Sequence, residues 1–378
     1  MYARQLDGFE QERAEPAAET PAFQAETVAV YPGDKNNLPY DVVVQTLRTN
    51  EPEPPTPAVE PEKTLDEVLD EHPVSIQVNG EWQTFPNVKA AEEASYEEYK
   101  ANLRRTAENF RITDDHLGEG GPKAKFQANV EAIKLLKYLE ETTEQATPEQ
   151  QKILSRYVGW GGLADAFDPD KESWSKEYAQ LKELLTPEEY AAARGSTLNA
   201  HYTSPTVIKA IYEAVGRMGF ETGNILEPSC GVGNFFGMLP EEMRNSRLYG
   251  VELDSISGRI AQQLYPKADI TVAGFETTDR RDFYDLAVGN VPFGQYQVRD
   301  KAYDKLNFSI HNYFFAKALD QVRPGGVVAF VTSRYTMDAK DSTVRRYLAQ
   351  RAELLGAIRL PNDAFKKNAG AEVVSDII

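Results

Sequence analysis

From about residue 196 the chain changes rhythm. Short apolar runs at Asn224–Glu227, Leu248–Glu252, Ile270–Ala273, Asp285–Gly289, Val327–Val331, Leu354–Leu360 and Glu372–Ile378 alternate with stretches of helical spacing. In Ser309–Val322, for example, Ile310, Phe314, Ala318 and Val322 fall on one helical face. Strands alternating with helices predict an α/β fold with a doubly wound, mostly parallel sheet. Such sheets bind ligands beyond the carboxyl ends of their strands, where the strand order reverses. Upstream, residues 92–195 read as helical. Phe126, Val130, Ile133, Leu136 and Leu139 recur at helical spacing, and Thr147-Pro148 supplies an N-cap and a first-turn proline for the next helix. That helix runs into "RYVGWGGLADAF" (Arg156–Phe167), a glycine-aromatic connection expected to pack Trp160 on the core, with a direct ligand role as the alternative. "VSIQVNGEWQTF" (Val74–Phe85) alternates around Asn79-Gly80, which predicts a hairpin.

The first hundred residues differ. They hold 7 Lys+Arg against 21 Asp+Glu, net −14 of the chain's −18, and half of its 22 prolines. A stretch such as "EPEPPTPAVEPE" buries too little apolar surface to offset its ordering entropy, so residues 1–62 are expected to lack a fixed fold. The remaining 278 residues carry only −4, so the overall acidity does not argue against a nucleic-acid partner. Cys230 is the sole cysteine, which rules out an internal disulfide framework. No apolar run reaches the roughly 18 residues of a membrane span, and "MYARQLDGFEQERAEP" has no signal-peptide core. The expectation is a cytoplasmic protein without a membrane partner.

Candidate chemistry concentrates at three strand ends. "ILEPSCGVGNFFG" (Ile225–Gly237) reads as strand, glycine turn and helix, with Gly231 and Gly233 letting backbone approach a ligand. Its third glycine, Gly237, falls one place late for the dinucleotide fingerprint. "YGVELDS" ends the next strand in Glu252, 19 residues after Gly233, an acid suited to ribose hydroxyls, with Asp254 as the following helix cap. The pair fits NAD or S-adenosylmethionine, and spacing alone leaves that choice open. The third end is "DLAVGNVPFGQY" (Asp285–Tyr296). An asparagine oxygen and a neighbouring backbone carbonyl can both accept hydrogen bonds from one planar NH2, and the following aromatic can stack on a flat ring. That set would hold an exocyclic amine toward a methyl sulfonium without a strong general base. His72, His116, His201 and His311 show no metal-ligand spacing; His201 is assigned to local packing, and no metal is expected.

Residues 196–378 resemble the amino-methyltransferases of DNA in the gamma-type motif order. "AHYTSP" (Ala200–Pro205), "LEPSCGVGNF", "GVELD", "NVPF" and "RPGGVVAFVTS" (Arg323–Ser333) look like successive family motifs. A closer resemblance, over about residues 105–378, is to the methylase region of very large proteins of conjugative elements and phages that join a methylase to a helicase-like region. It is carried by "HLGEGGPKAKFQANVEAI", "ILSRYVGWGGLADAFD", "STLNAHYTSP" and "IRLPNDAFKKNAGAEVVSDI". The resemblance implies a seven-stranded Rossmann-like methyltransferase sheet and adenine-N6 methylation of double-stranded DNA with the target base flipped out. It also implies a longer parent with a C-terminal helicase region, and a role in host modification or anti-restriction. It assigns Asn290, Val291, Pro292 and Phe293 to the target base. It assigns Tyr202, Thr203, Glu227, Pro228, Ser229, Gly231, Gly233, Asn234, Glu252, Leu253, Phe275 and Asn290 to S-adenosylmethionine.

Two positions depart from the family. Val291 stands where a proline is usual, which predicts a slacker loop. Gly274 stands where an Asp often faces the cofactor adenine, with Glu276 as a substitute and Phe275 as a stacking partner. These departures keep a weakly active cofactor- or DNA-binding module as an alternative to DNA methylation, and because similar Asn-Pro-Pro-Tyr motifs serve other amines, methylation of RNA or a protein glutamine is a second. The loop "GQYQVRDKAYDKLN" (Gly294–Asn307) suits phosphates and bases as well as it suits an ordinary solvated loop. The domain expectation is an acidic tail or linker at 1–73, a hairpin and helical subdomain at 74–195, and the methyltransferase domain at 196–378.

Overall fold

The computed structural model describes residues 28–30, 42–44, 72–114, 116, 118–197, 203–362 and 374–378. Most of the acidic tail, His201 and Tyr202 therefore lie outside the described residues. Within the tail, Val28–Val30 and Val42–Val44 pair as antiparallel strands. The chain divides into two compact units, Met1–Thr106 and Ala107–Ile378. In the first, Val74–Val78 pairs antiparallel with Glu81–Phe85 around Asn79-Gly80, as the alternation requires. Val74, Ile76 and Val78 turn inward against Ala91 of the helix Val88–Thr106.

The second unit is built on a seven-stranded sheet. Its strands are β1 (Asn224–Glu227), β2 (Arg247–Glu252), β3 (Asp269–Val272), β4 (Tyr284–Asn290), β5 (Val322–Ser333), β6 (Ile358–Arg359) and β7 (Ser375–Ile377). They lie in the order β3-β2-β1-β4-β5-β7-β6. The first five neighbours run parallel, while β7 runs antiparallel to β5 and β6 antiparallel to β7. This is the methyltransferase-type α/β sheet, with the strand order reversing between β1 and β4. Ile225, Leu226, Leu286, Ala287 and Val288 are fully buried there, as central strands covered on both faces demand. The rear of the reversal is tied by Asp285, which accepts from the Asn224 amide at 2.6 Å and pairs with Arg323.

Two expected strands change length by five residues or more. The Leu354–Leu360 run pairs with β7 at Ile358 and Arg359, and Leu354 and Leu355 are about 60% exposed (58% and 60%). β5 lengthens backwards to Val322, the residue expected to close the preceding helix.

The helical stretch packs with the sheet. In α1 (Pro122–Thr142), the five apolar positions at helical spacing are at most 2% exposed. Helix α2 (Pro148–Leu154) starts with the Thr147 capping box, and α3 (Pro187–Ser196) with another at Thr186. Arg259 of α4 (Ser255–Leu264) meets Glu140 of α1 at 2.8 Å and Glu189 of α3 at 2.5 Å. One guanidinium thus joins three helices around the flank of β2. Trp160 is buried among Phe126, Tyr157 and Phe167, which fulfils its expected packing role.

Candidate active site

The β1 turn is shaped by steric necessity. Gly231 and Gly233 adopt φ of +55° and +81°. A Cβ on Gly233 would lie 2.4 Å from the buried ring of Tyr265. The glycine therefore permits both a left-handed backbone and a turn tight enough to sit on that ring. Cys230 NH extends the order of the turn by donating to Val251 O at 3.0 Å, linking it to β2.

Glu252 closes the next strand end. Its two carboxylate oxygens accept from the Gly231 and Asp254 amides, each at 2.7 Å. Burial lifts its pKa to about 7, against the opposing pull of these amides. Asp254 caps α4 by accepting from Ser257 N at 2.9 Å, as expected. At the first strand end, Glu227 is 2% exposed. Burial, reinforced by the charge of Glu252, holds its carboxyl well above the usual range. Its Oε2 has no hydrogen-bond partner among the described residues, a costly arrangement unless a ligand completes it.

The β4 end meets these two across the reversal. Ser229 Oγ donates to Asn290 O at 3.0 Å, fixing the asparagine backbone against the glycine turn. Val291 is 1% exposed, and its amide donates to Val331 O at 3.1 Å. A proline there could not donate this bond, so the valine ties the backbone to β5 where a proline would restrict it through its own ring. Behind the motif, His311 is buried with Nε2 3.1 Å from Ser309 Oγ, and burial lowers its pKa to about 4, so it is neutral near pH 7.

These ends open into one cleft of about 400 Å³. Thr203, Glu227, Ser229, Gly231, Asn234, Glu252 and Leu253 line it together with Asn290, Val291, Pro292 and Phe293. Gly233 and Pro228 are absent from the lining; Gly233 shapes the turn from behind. Phe275 is elsewhere: it is 3% exposed, in the core on the far side of the sheet, 4.9 Å from the Phe314 ring. Its ring is spent on packing against α5 (Ile310–Gln321), so in this structure it presents no face for an adenine to stack on.

The loop after the motif divides by side. Asp300 meets Lys317 at 2.8 Å with both nearly buried, Tyr313 Oη donates to the same carboxylate at 2.8 Å, and the buried Tyr303 donates to Asp320 at 2.7 Å. Arg299, Lys301 and Lys305 face outward, and Tyr296, 47% exposed, lines the cleft. Tyr303 is therefore a core anchor rather than a base-stacking surface.

A second wall comes from the helical stretch: Tyr157 and Gly159, then Ala192, Gly195 and Ser196 of α3. Sequence reasoning kept a ligand role for the Arg156–Phe167 loop only as the alternative to packing, and did not place α3 in the site. The signal lay in "GWGG", whose backbone is held by the fully buried Asn129 of α1. Its side chain donates to Gly159 O at 2.6 Å and accepts from Val158 N at 2.9 Å. Among the described residues no cluster of His, Cys, Asp or Glu could hold a metal ion, and no helix is long and apolar enough to cross a membrane.

No protein-family model matches the chain. It is similar to the "Defense against restriction protein B" of Escherichia phage P1, 29% identical over 268 residues, covering 69% of this chain and 10% of that protein. It is also similar to the "Type II methyltransferase M.CvrRI" of Paramecium bursaria Chlorella virus XZ-6E, 37% identical over 92 residues, 24% of each chain. The chain thus spans about a tenth and about a quarter of these relatives. Among solved structures, a chain assigned to the class I S-adenosylmethionine-dependent methyltransferases of Listeria monocytogenes matches with TM-score 0.41 at 17% identity. That match covers 68% of this chain and 86% of the other. A modification subunit assigned to a type I restriction enzyme of Vibrio vulnificus YJ016 matches with TM-score 0.40 at 16% identity, covering 61% and 52%.

Proposed function

We propose that the chain is an S-adenosylmethionine-dependent methyltransferase domain that methylates adenine N6 in DNA. The observation that carries this reading is the joining of Asn290–Phe293 to the Gly231 turn and Glu252 in one cleft, with Ser229 bonded to Asn290 O. The names of the phage and viral relatives support a methyltransferase in a restriction setting. The residues present fit the cofactor: a glycine turn for close approach, an acid at the second strand end for ribose hydroxyls, and an orphaned buried carboxyl at Glu227.

When bound, the cofactor supplies an electrophilic methyl group on sulfur. The protein's part is orientation. The Asn290 side-chain oxygen and the Val291 carbonyl accept both N6 hydrogens, which directs the nitrogen lone pair at the methyl carbon. Phe293 packs on the face of the base. No side chain need act as a strong base before attack, because the acceptors raise electron density on nitrogen. The extra proton leaves to water after transfer. Reaching the amine in a duplex requires base flipping, at a cost of a few kcal/mol. Arg299, Lys301 and Lys305 provide outward cations for the backbone beside the cleft.

The test is transfer of labelled methyl from S-adenosylmethionine to unmethylated DNA, with digestion to nucleosides. Label in N6-methyladenine that disappears in Asn290→Ala supports the assignment. Label confined to RNA or to a protein acceptor would overturn the substrate, and absence of label on every acceptor would overturn the activity.

A further inference from the structure

Gly195 lies inside helix α3, one residue before its end. A glycine there weakens the helix relative to alanine, so it calls for a reason. Conformation does not supply one: its φ is outside the positive range, and it is not the terminating residue, since Thr197 caps the helix in right-handed geometry. Packing does not supply one either. A Cβ built on Gly195 meets no atom of the described residues within 4 Å, unlike Gly233, where it collides with Tyr265. Gly195 is exposed and lines the cleft with the exposed Ala192 and the half-buried Ser196, three and one residues away on α3, so an added side chain would have room at this part of the wall. An independent feature marks the same cleft as a ligand site: the Glu227 carboxyl, 2% exposed, with Oε2 unpartnered among the described residues.

The Glu189–Arg259 pair holds α3 against α4, and Asp254 and Ser257 at the start of α4 line the cleft beside Glu252. The small-residue face of α3 therefore belongs to the same chamber as the acid suited to ribose hydroxyls. We propose that Gly195 is a specificity-determining position: its lack of a side chain sets the width of the cleft and admits the nucleoside end of an adenosine-bearing ligand. This inference rests on the proposed cofactor reading and adds a wall that the strand-end motifs do not contain.

The test pairs stability with binding, because the two move in opposite directions. Gly195→Ala and Gly195→Leu are compared with wild type by thermal unfolding and by calorimetric titration with S-adenosylmethionine, ATP and NAD. The expected result is an unchanged or raised Tm in the alanine variant. The leucine variant should keep a cooperative transition while losing about tenfold or more in S-adenosylmethionine affinity, the size of a misplaced side chain in a fitted pocket. Leucine binding as tightly as wild type, or a loss of affinity that merely follows a loss of Tm in both variants, would overturn it. If wild type binds ATP or NAD instead and leucine blocks that, the width role stands and the S-adenosylmethionine reading falls. If wild type binds none of the three, both fall.

Discussion

If Glu252 holds ribose hydroxyls as proposed, ligand binding depends on pH. Its carboxyl has a pKa of about 7 because burial disfavours the charge more than the Gly231 and Asp254 amides favour it. Ribose hydroxyls donate to a carboxylate and bind the protonated form poorly, so the bound state should pull that pKa down. About one protein in eleven is ionised near pH 6 and about ten in eleven near pH 8, which gives a roughly tenfold tightening of S-adenosylmethionine across that window. Stability moves the other way. The folded pKa lies above the ordinary 4.5, so the folded state holds more protons than the unfolded state between the two values. The protein therefore loses stability as pH rises through that interval, by about 3 kcal/mol at 1.36 kcal/mol per unit. Calorimetric titration at three pH values, on wild type and Glu252→Gln, reads the first effect. The cofactor's own amine titrates identically against both proteins, so the difference between them isolates the carboxylate. An affinity that stays flat in wild type, or a slope unchanged in the glutamine variant, would refute the reasoning.

Other outcomes follow from single contacts. Gly233→Ala should cost several kcal/mol, since a positive φ and a contact at 2.4 Å with a buried ring must both be accommodated; a thermal midpoint near that of wild type would contradict the steric account of the turn. Asn129→Ala leaves Val158 N and Gly159 O without their buried partner, at about 2–4 kcal/mol, measured by denaturant unfolding. Asn290→Ala should leave cofactor affinity within a few fold while abolishing transfer of label to DNA, read by pairing titration with the methyl-transfer assay.

The strand ends were legible because their chemistry is local. Glu252 and Asn290 each terminate an apolar run and Gly231 follows one in the turn, and the rule that parallel sheets bind ligands at the reversal puts them together from sequence. Helix α1 was legible from spacing alone, since its five apolar positions serve one buried face. The second wall was not legible. Gly159 and Gly195 look like any connecting glycines, and only the fold reveals that one is held by Asn129 and the other faces open space. Phe275 misled for a related reason. Proximity to a strand end does not fix which side of the sheet a ring turns toward, and packing with Phe314 decided it.

The valine at the second position of the proposed target-base motif has a wider mechanical meaning. A proline holds its carbonyl through its own ring, independently of its neighbours. Val291 instead takes its position from Val331 of β5, and Val331 is paired in turn with Ile377 of β7. The carbonyl proposed to receive the amine is thus registered to a chain of three strands that reaches toward the outer edge of the sheet. β7 is therefore two pairings away from that carbonyl, which ties the proposed acceptor to the antiparallel side of the sheet as well as to its own strand.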